Sequence, residues 1–240
     1  MKYNSITFYK YFDFKDFEER REPLKELMLK HNIKGKIIIS LEGVNGAICS
    51  TTENVLVFMK ELGEFLPELE GIKYRDTISD NQCFKRTLVK LRDEIVPLGV
   101  CGISPSTSGG GKALNPKELM DWYEQGEDFV IIDARNDYEW KVGHFEGAEN
   151  PNIEKFRDFK EYVEKLEDLK DKKVVTYCTG GIRCEKASAY MKDKGFDNVY
   201  KLDGGIIEFM RLEGSEKYWK GKLFVFDKRW EIDHDKTRIW

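Results

Sequence analysis

Near its middle the chain carries Val96-Pro97-Leu98-Gly99 and then Ser104-Pro105-Ser106-Thr107-Ser108-Gly109-Gly110-Gly111-Lys112. Proline removes a backbone donor, serine and glycine leave the backbone free, and three consecutive glycines have no side chain to bury. Such a stretch predicts a connector, so two hydrophobic cores must form on either side of it. The expected division is a domain over 1–96, a linker over 97–114, a second domain over 115–229 and a tail over 230–240. At 240 residues there is enough chain for two ordinary domains. The 15 Phe, 11 Tyr and 5 Trp supply core volume that a disordered chain lacks.

Before the connector, Ser5 to Phe12 is rich in strand formers and Asp16 to His31 carries an apolar stripe of Phe17, Leu24, Leu27 and Met28. Lys36 to Ser40 and Gly46 to Cys49 read as strands. Thr51 or Thr52 caps a helix that runs to Leu66, and Leu88 to Arg92 alternates as a final strand. The order β-α-β-β-α-β is that of an α+β ferredoxin-like domain, a fold that hosts RNA binding and plain scaffolding alike. After the connector, Asn115-Pro116 caps a helix through Tyr123, and Phe129 to Asp133 is a buried strand. A helix from about Phe156 to Leu169 follows, then a strand ending at Cys178 and a helix to Lys194. Val199 to Leu202 is a last strand and Gly205 to Leu212 a last helix. Strands alternating with helices predict an α/β parallel sheet with helices on both faces, with ligands bound beyond the carboxyl ends of its strands.

Cys178 stands at such an end. The apolar run Val174-Val175-Thr176-Tyr177 leads into Cys178-Thr179-Gly180-Gly181-Ile182-Arg183, and a helical pattern continues from Glu185. Two glycines let the backbone curl. The loop amides, the helix N-terminus and the Arg183 guanidinium then converge on one sulfur. Free cysteine titrates near ~8.5, and sites of this kind fall to roughly 3.5–7.5. The residues allow a reactive thiolate or persulfide, or a half-buried structural cysteine in a tight turn. Only Thr179, Gly180, Gly181 and Ile182 separate Cys178 from Arg183, a tighter ring than cysteine phosphatases close around phosphate. The smaller ring suits a terminal sulfur better than a phosphoryl group.

The remaining titratable residues carry two readings each. Cys184 is either a resolving thiol or a first-turn helix residue facing away from Cys178. His144 in Gly143-His144-Phe145 is an acid–base group or a hydrogen-bonded turn residue. Cys49 and Cys101 read as packing or loop residues, and Cys83 as the residue before a strand. The five cysteines form no C-x-x-C pair and the three histidines are scattered, so no metal site is expected. A net charge of −4 argues against a globally basic nucleic-acid binder, DNA included, and the first 100 residues carry as many acids as bases. Local patches remain: Lys85, Arg86, Lys90 and Arg92 in one run, and Lys217, Lys220, Lys222, Lys228 and Arg229 in another. No apolar run approaches the ~20 residues of a membrane span, and no signal peptide opens the chain, which predicts a cytoplasmic protein without membrane contact.

Asp133-Ala134-Arg135-Asn136, Tyr138-Glu139, Gly143 to Ala148 and Cys178 to Arg183 together resemble a rhodanese-like domain. Glu42-Gly43-Val44-Asn45-Gly46, Glu94-Ile95-Val96, the longer string Cys178 to Ala187, and Phe226-Asp227-Lys228-Arg229 resemble the tRNA uridine(34) hydroxylase family. In that family a rhodanese-like domain follows an N-terminal ferredoxin-like, acylphosphatase-like one. The resemblance implies oxygen-dependent hydroxylation of the wobble uridine of tRNA to 5-hydroxyuridine, with O2 as co-substrate and no cofactor or electron donor evident from the residues. It implies Cys178 as the catalytic persulfide or thiolate, Thr179, Gly180, Gly181, Ile182 and Arg183 as its anion cradle, and Asp133 and Arg135 as supports beneath the loop. Lys85, Arg86, Lys90, Arg92 and Lys186 are candidate contacts to the anticodon region of tRNA, with Phe84 a stacking platform. Longer family members continue into a cysteine-containing tail, whereas only Trp230 to Trp240 remain here. Two other functions fit the residues: a sulfurtransferase passing sulfur from thiosulfate to an acceptor, and a non-catalytic anion-binding module.

Overall fold

The computed structural model describes residues 2–233, apart from the side chains of Thr107 and Ser108. They form two units, one of residues 2–96 with 226–230 and one of residues 97–225 with 231–233.

The first unit runs β1 (Tyr3–Tyr11), α1 (Arg21–Lys30), β2 (Lys34–Ser40), β3 (Gly43–Thr51), α2 (Thr52–Phe65), β4 (Arg75–Ser79) and β5 (Thr87–Leu91). Its sheet has the order β4-β1-β3-β2-β5, antiparallel throughout except for the parallel pair β2 and β5. Alternation along the strands turns Ile6, Phe8, Ile37, Ile39, Val44 and Ile48 to one face. Leu24 and Met28 of α1 and Val55, Phe58 and Leu62 of α2 close the core over them. Thr51 caps α2, its hydroxyl accepting from the Asn54 amide at 3.4 Å.

The ferredoxin-like motif closes with β4, not with the stretch Leu88 to Arg92 that its alternation suggested. Arg75-Asp76-Thr77-Ile78-Ser79 has one apolar residue and no readable period; pairing with β1 makes it a strand. The alternating stretch is a fifth strand beside β2. α1 likewise begins at Arg21 rather than Asp16, after a series of turns. Residues 226–230, expected as the end of the second domain and the start of the tail, return to the first unit's sheet. The Ser5 hydroxyl donates to Asp227 at 3.0 Å, and Arg229 donates to the Ile78 carbonyl at 3.0 Å and the Thr77 hydroxyl at 2.9 Å.

The second unit contains α3 (Pro105–Ser108), β6 (Lys112–Leu114), α4 (Pro116–Gln125), β7 (Val130–Asp133), α5 (Asp137–Trp140), β8 (Gly143–Phe145) and α6 (Phe159–Val163). β9 (Lys173–Tyr177), α7 (Ile182–Asp193), β10 (Asn198–Leu202), α8 (Gly205–Phe209), β11 (Trp219–Gly221), β12 (Leu223–Phe224) and β13 (Glu231–Ile232) complete it. A parallel sheet of order β6-β10-β9-β7 forms its centre, with two small antiparallel pairs, β11-β8 and β12-β13, beside it. Val175 and Tyr177 of β9 pack with Leu119 of α4 and Ile206 and Phe209 of α8. Thr176 points the other way, to the face covered by α7. The fold is α/β with helices on both faces of the parallel sheet. Asn115 caps α4 by accepting from the Lys117 amide at 2.9 Å, with Pro116 in the first helical position.

Two expectations change here. The connector is not free along its whole length: Lys112–Leu114 is an edge strand on β10, and the Gly111 amide donates to the Ser188 hydroxyl at 2.8 Å. The expected helix from Phe156 to Leu169 is broken into α6 and two short 3-10 turns, Phe156–Asp158 and Glu167–Leu169. Residues 234–240, most of the expected tail and with them His234, lie outside the described residues. No described helix is long and apolar enough to cross a membrane.

Candidate active site

β9 is a central strand, paired on both sides, and its last four residues are buried. The chain must leave the sheet after Tyr177 and reverse into α7, and Gly181 with φ of 97° supplies the left-handed step that a side chain would strain. This step turns backbone N–H groups inward. The Gly181 amide donates to Cys178 Sγ at 3.1 Å, and the amides of Arg183 and Cys184 also bond to that sulfur. Cys178 is 0% exposed. Burial opposes its ionisation, but the hydrogen bond from the Cys184 thiol, the Arg183 charge and the two amides outweigh that and bring the thiol to about 6. Cys184 is pushed well up in turn, first by burial and then by its bond to Cys178. The expectation that α7 carries Cys184 away from Cys178 is therefore overturned: α7 starts at Ile182, one turn earlier than its sequence pattern suggests, and the third residue of that turn faces back into the loop.

Arg183 contributes its charge, not a free guanidinium. It is clamped by Glu139, Nη1 donating to Oε2 at 2.6 Å and Nη2 to Oε1 at 2.8 Å, and Nη2 also lies 3.4 Å from the Thr179 hydroxyl. Glu139 is fully buried, yet it stays ionised. Burial alone would raise its carboxyl; the Arg183 charge and hydrogen bonds, helped by Arg135, hold it below the usual carboxylate range. Burial costs each ion of such a pair several kcal/mol, so neither side chain is stable there without the other. Glu139 is also fixed locally, because its Oε2 accepts from the Asn136 amide at 3.2 Å in the capping box of α5.

The loop has a second support in α8. The Ile206 amide donates to the Cys178 carbonyl at 3.0 Å and the Ile207 amide to the Thr179 carbonyl at 3.2 Å. Gly205 comes so close that a Cβ on it would lie 2.4 Å from the Cys178 carbonyl oxygen and 2.9 Å from the Gly181 nitrogen, at a φ of +65°. Sequence reasoning did not find Gly205 or Glu139 as site residues. Glu139 is one acid among many in a charged chain, and only the pairing across the fold singles it out.

Asp133 and Arg135 form a buried ion pair, Nη2 to Oδ2 at 2.6 Å, and Arg135 also donates to the Gly143 carbonyl at 2.6 Å. Their side chains thus brace β7 against β8. The link to the loop is by backbone, with the Ala134 amide donating to the Tyr177 carbonyl at 2.9 Å. His144 stacks on Trp140 at 3.9 Å and donates to its carbonyl, but it does so from the middle of strand β8, paired with Lys220, and not from the expected turn. Lys186 is 1% exposed on the buried side of α7, so it is withdrawn as a phosphate contact. Lys85, Arg86 and Arg92 are exposed and Lys90 is half-buried. By register Lys90 and Arg92 share a face with Lys36, whose ammonium is disfavoured first by burial and then by those two charges. This is a local positive patch on the first unit. Three residues of the later basic run are ion-paired instead: Lys220 with Glu146, Lys222 with Glu231, and Arg229 with Asp227. Among the described residues no cluster of His, Cys, Asp and Glu could hold a metal ion.

Residues 3–95 match the UPF0176 acylphosphatase like domain and residues 115–212 the Rhodanese-like domain. A protein of Legionella pneumophila (strain Paris) described as tRNA uridine(34) hydroxylase is 42% identical over 238 residues, covering 98% of this chain and 92% of its own. The chain belongs to the tRNA uridine(34) hydroxylase family. The protein of the same description from the Corby strain matches over the same 238 residues at the same 42% identity. A solved rhodanese-like domain from Anabaena sp. is a remoter likeness, 22% identical over 45% of this chain and 78% of its own, with a TM-score of 0.39. As a family member of nearly full matching length, the chain pairs both domain types in the order of the two profiles.

Proposed function

We propose that this protein hydroxylates uridine 34 of tRNA at C5, giving 5-hydroxyuridine, in the cytoplasm and with O2 as the oxygen source. Whole-length membership of the tRNA uridine(34) hydroxylase family is the observation that carries this reading. Cys178 is the reacting sulfur, as thiolate or persulfide, and the local geometry supports that role: the thiol is brought to about 6, so it is anionic at neutral pH. The amides of Gly181, Arg183 and Cys184 hold the negative charge, and Glu139 keeps Arg183 fixed beside it. A preset cradle of this kind stabilises charge on sulfur without reorganisation during reaction. Lys36, Lys85, Arg86, Lys90 and Arg92 of the first unit give the anticodon region a cationic surface, and phosphate contact of this kind makes affinity fall with salt.

Nucleoside mass spectrometry of tRNA tests the proposal. Cells lacking the protein should lose 5-hydroxyuridine, wild-type protein should restore it, and Cys178→Ala should not. Purified protein should bind tRNA more weakly as salt rises, and a flat salt profile would remove the basic patch from the account. Turnover of thiosulfate with unchanged tRNA nucleosides would replace the hydroxylase with a sulfurtransferase.

A further inference from the structure

Two other thiols meet in the first unit. Cys49 lies on β3 and Cys83 in the irregular connection between β4 and β5, and both are buried. The Cys83 amide donates to Cys49 Sγ at 3.3 Å, and Gln82 Nε2 donates to the Cys49 carbonyl at 3.1 Å, so consecutive residues of the connection are pinned to one cysteine. Cα of Cys83 is one bond from that amide nitrogen, and Cα of Cys49 two bonds from that sulfur. The two Cα atoms are therefore at most about 7.6 Å apart even if the four atoms were collinear, an upper bound just above the roughly 4.4–6.8 Å that a disulfide spans.

The two sulfurs are chemically unequal. The hydrogen bond from Cys49 brings Cys83 down to about 7 against the cost of burial, with Ser79 and the Arg229 charge assisting and Asp227 opposing. Cys49 is pushed up, first by that hydrogen bond and then by burial. One sulfur is thus partly thiolate at neutral pH while its neighbour keeps its proton, the division of labour between an attacking and a resolving thiol. Arg229 is itself held in place by Asp227, Thr77 and the Ile78 carbonyl.

We propose that Cys49 and Cys83 form a peroxide-reactive dithiol: Cys83 is oxidised by hydrogen peroxide, and Cys49 resolves it as a disulfide. The Cys83 thiolate attacks a peroxide oxygen. The S–O bond forms, the O–O bond breaks, and the departing hydroxide takes up a proton to leave as water. The Cys49 sulfur then attacks the sulfenic sulfur. The S–S bond forms, the S–O bond breaks, and the leaving hydroxide takes the Cys49 proton as a second water. Two thiols lose two electrons and one peroxide gains them. The product ties β3 to the connection that anchors residues 226–230, because the Lys228 amide donates to the Cys83 carbonyl at 3.0 Å. The pair and the Cys178 loop belong to different units, and the dithiol chemistry uses no residue of that loop.

The test is peroxide titration of the full chain, alkylation of the remaining thiols, digestion without reductant and peptide mass mapping. A Cys49–Cys83 cross-link, about 2 Da lighter than its two reduced peptides together, should appear at doses that leave the exposed Cys101 alkylatable, and dithiothreitol should reverse it. Cys49→Ser should leave Cys83 as a sulfenic acid trapped by dimedone, and Cys83→Ser should leave Cys49 unmodified. The proposal fails if the wild-type map shows no such link while Cys101 is oxidised, or if Cys83→Ser leaves Cys49 as readily oxidised as before. The wild-type map decides by itself should either variant not fold.

Discussion

Cys178 and Cys83 lie in different units and on different folds, yet each is a buried sulfur with a second thiol and an arginine beside it. Arg183 is clamped by Glu139 and Arg229 by Asp227. The two sulfurs differ in what else reaches them. Cys178 follows a central parallel strand, and the turn into α7 aims three backbone amides at it. Cys83 sits in a connection with no helix start, and it relies on the side chains of Cys49, Ser79 and Arg229. Cys178 is the more deeply buried, and both thiols are nonetheless lowered, to about 6 and about 7. Beyond the neighbouring thiol and the arginine charge that both sulfurs have, Cys178 is held by oriented main-chain donors where Cys83 has the Ser79 side chain. Those main-chain donors also survive substitution of neighbouring residues, since the turn itself supplies them.

Removing the counter-ions breaks the comparison most sharply. Glu139→Gln strands Arg183 in an interior that its side chain shares at 8% exposure, and should cost about 3–5 kcal/mol in denaturant unfolding. Asp227→Asn should cost less, because Arg229 keeps 17% of its side chain in water and retains its bonds to Ile78 and Thr77. Equal losses would mean that depth of burial does not distinguish the two pairs. Gly205→Ala should follow at roughly 2–4 kcal/mol, since the left-handed backbone and the approach to the Cys178 carbonyl both resist a methyl group. Its thiolate should also titrate at higher pH as the cradle shifts, a change that mere destabilisation elsewhere would not give.

The smallest effects sharpen the comparison. Thiolate ultraviolet absorbance, taken as the difference between wild type and Cys178→Ser, should show a midpoint near 6. Cys184→Ala removes a hydrogen bond to a charged sulfur worth about 1.5–3 kcal/mol, so it should raise that midpoint by about one to two pH units. Cys49→Ala should do the same to Cys83. Because the folded value for Cys178 lies below that of a free cysteine, near ~8.5, the thiolate adds stability in full once pH exceeds that value. That contribution shrinks as pH falls towards 6 and is gone below it. Stability of the Cys178→Ser protein should be flatter across that window.

Much of this protein could be read from its residues because the signals were local. Asn115-Pro116 and Thr51 marked helix starts that the structure keeps, since a cap acts within three residues. The apolar run before Cys178 and the two glycines after it specified a buried strand and a turn without reference to the rest of the fold. What depended on partners distant in sequence was not legible. Arg75 to Ser79 carries no strand pattern and becomes β4 only by pairing with β1. Lys112 to Leu114 looks like connector until β10 takes it as an edge. The same holds inside the site: Arg183 is 44 residues from Glu139, and Gly205 belongs to another helix. Sequence determined the buried strand and the tight turn around Cys178, because the curl of a glycine-rich turn is a property of that turn. Tertiary structure decided what holds the arginine and which thiol shares the proton, because electrostatic partners are chosen by distance in space, and the chain brings those groups together only once it has folded.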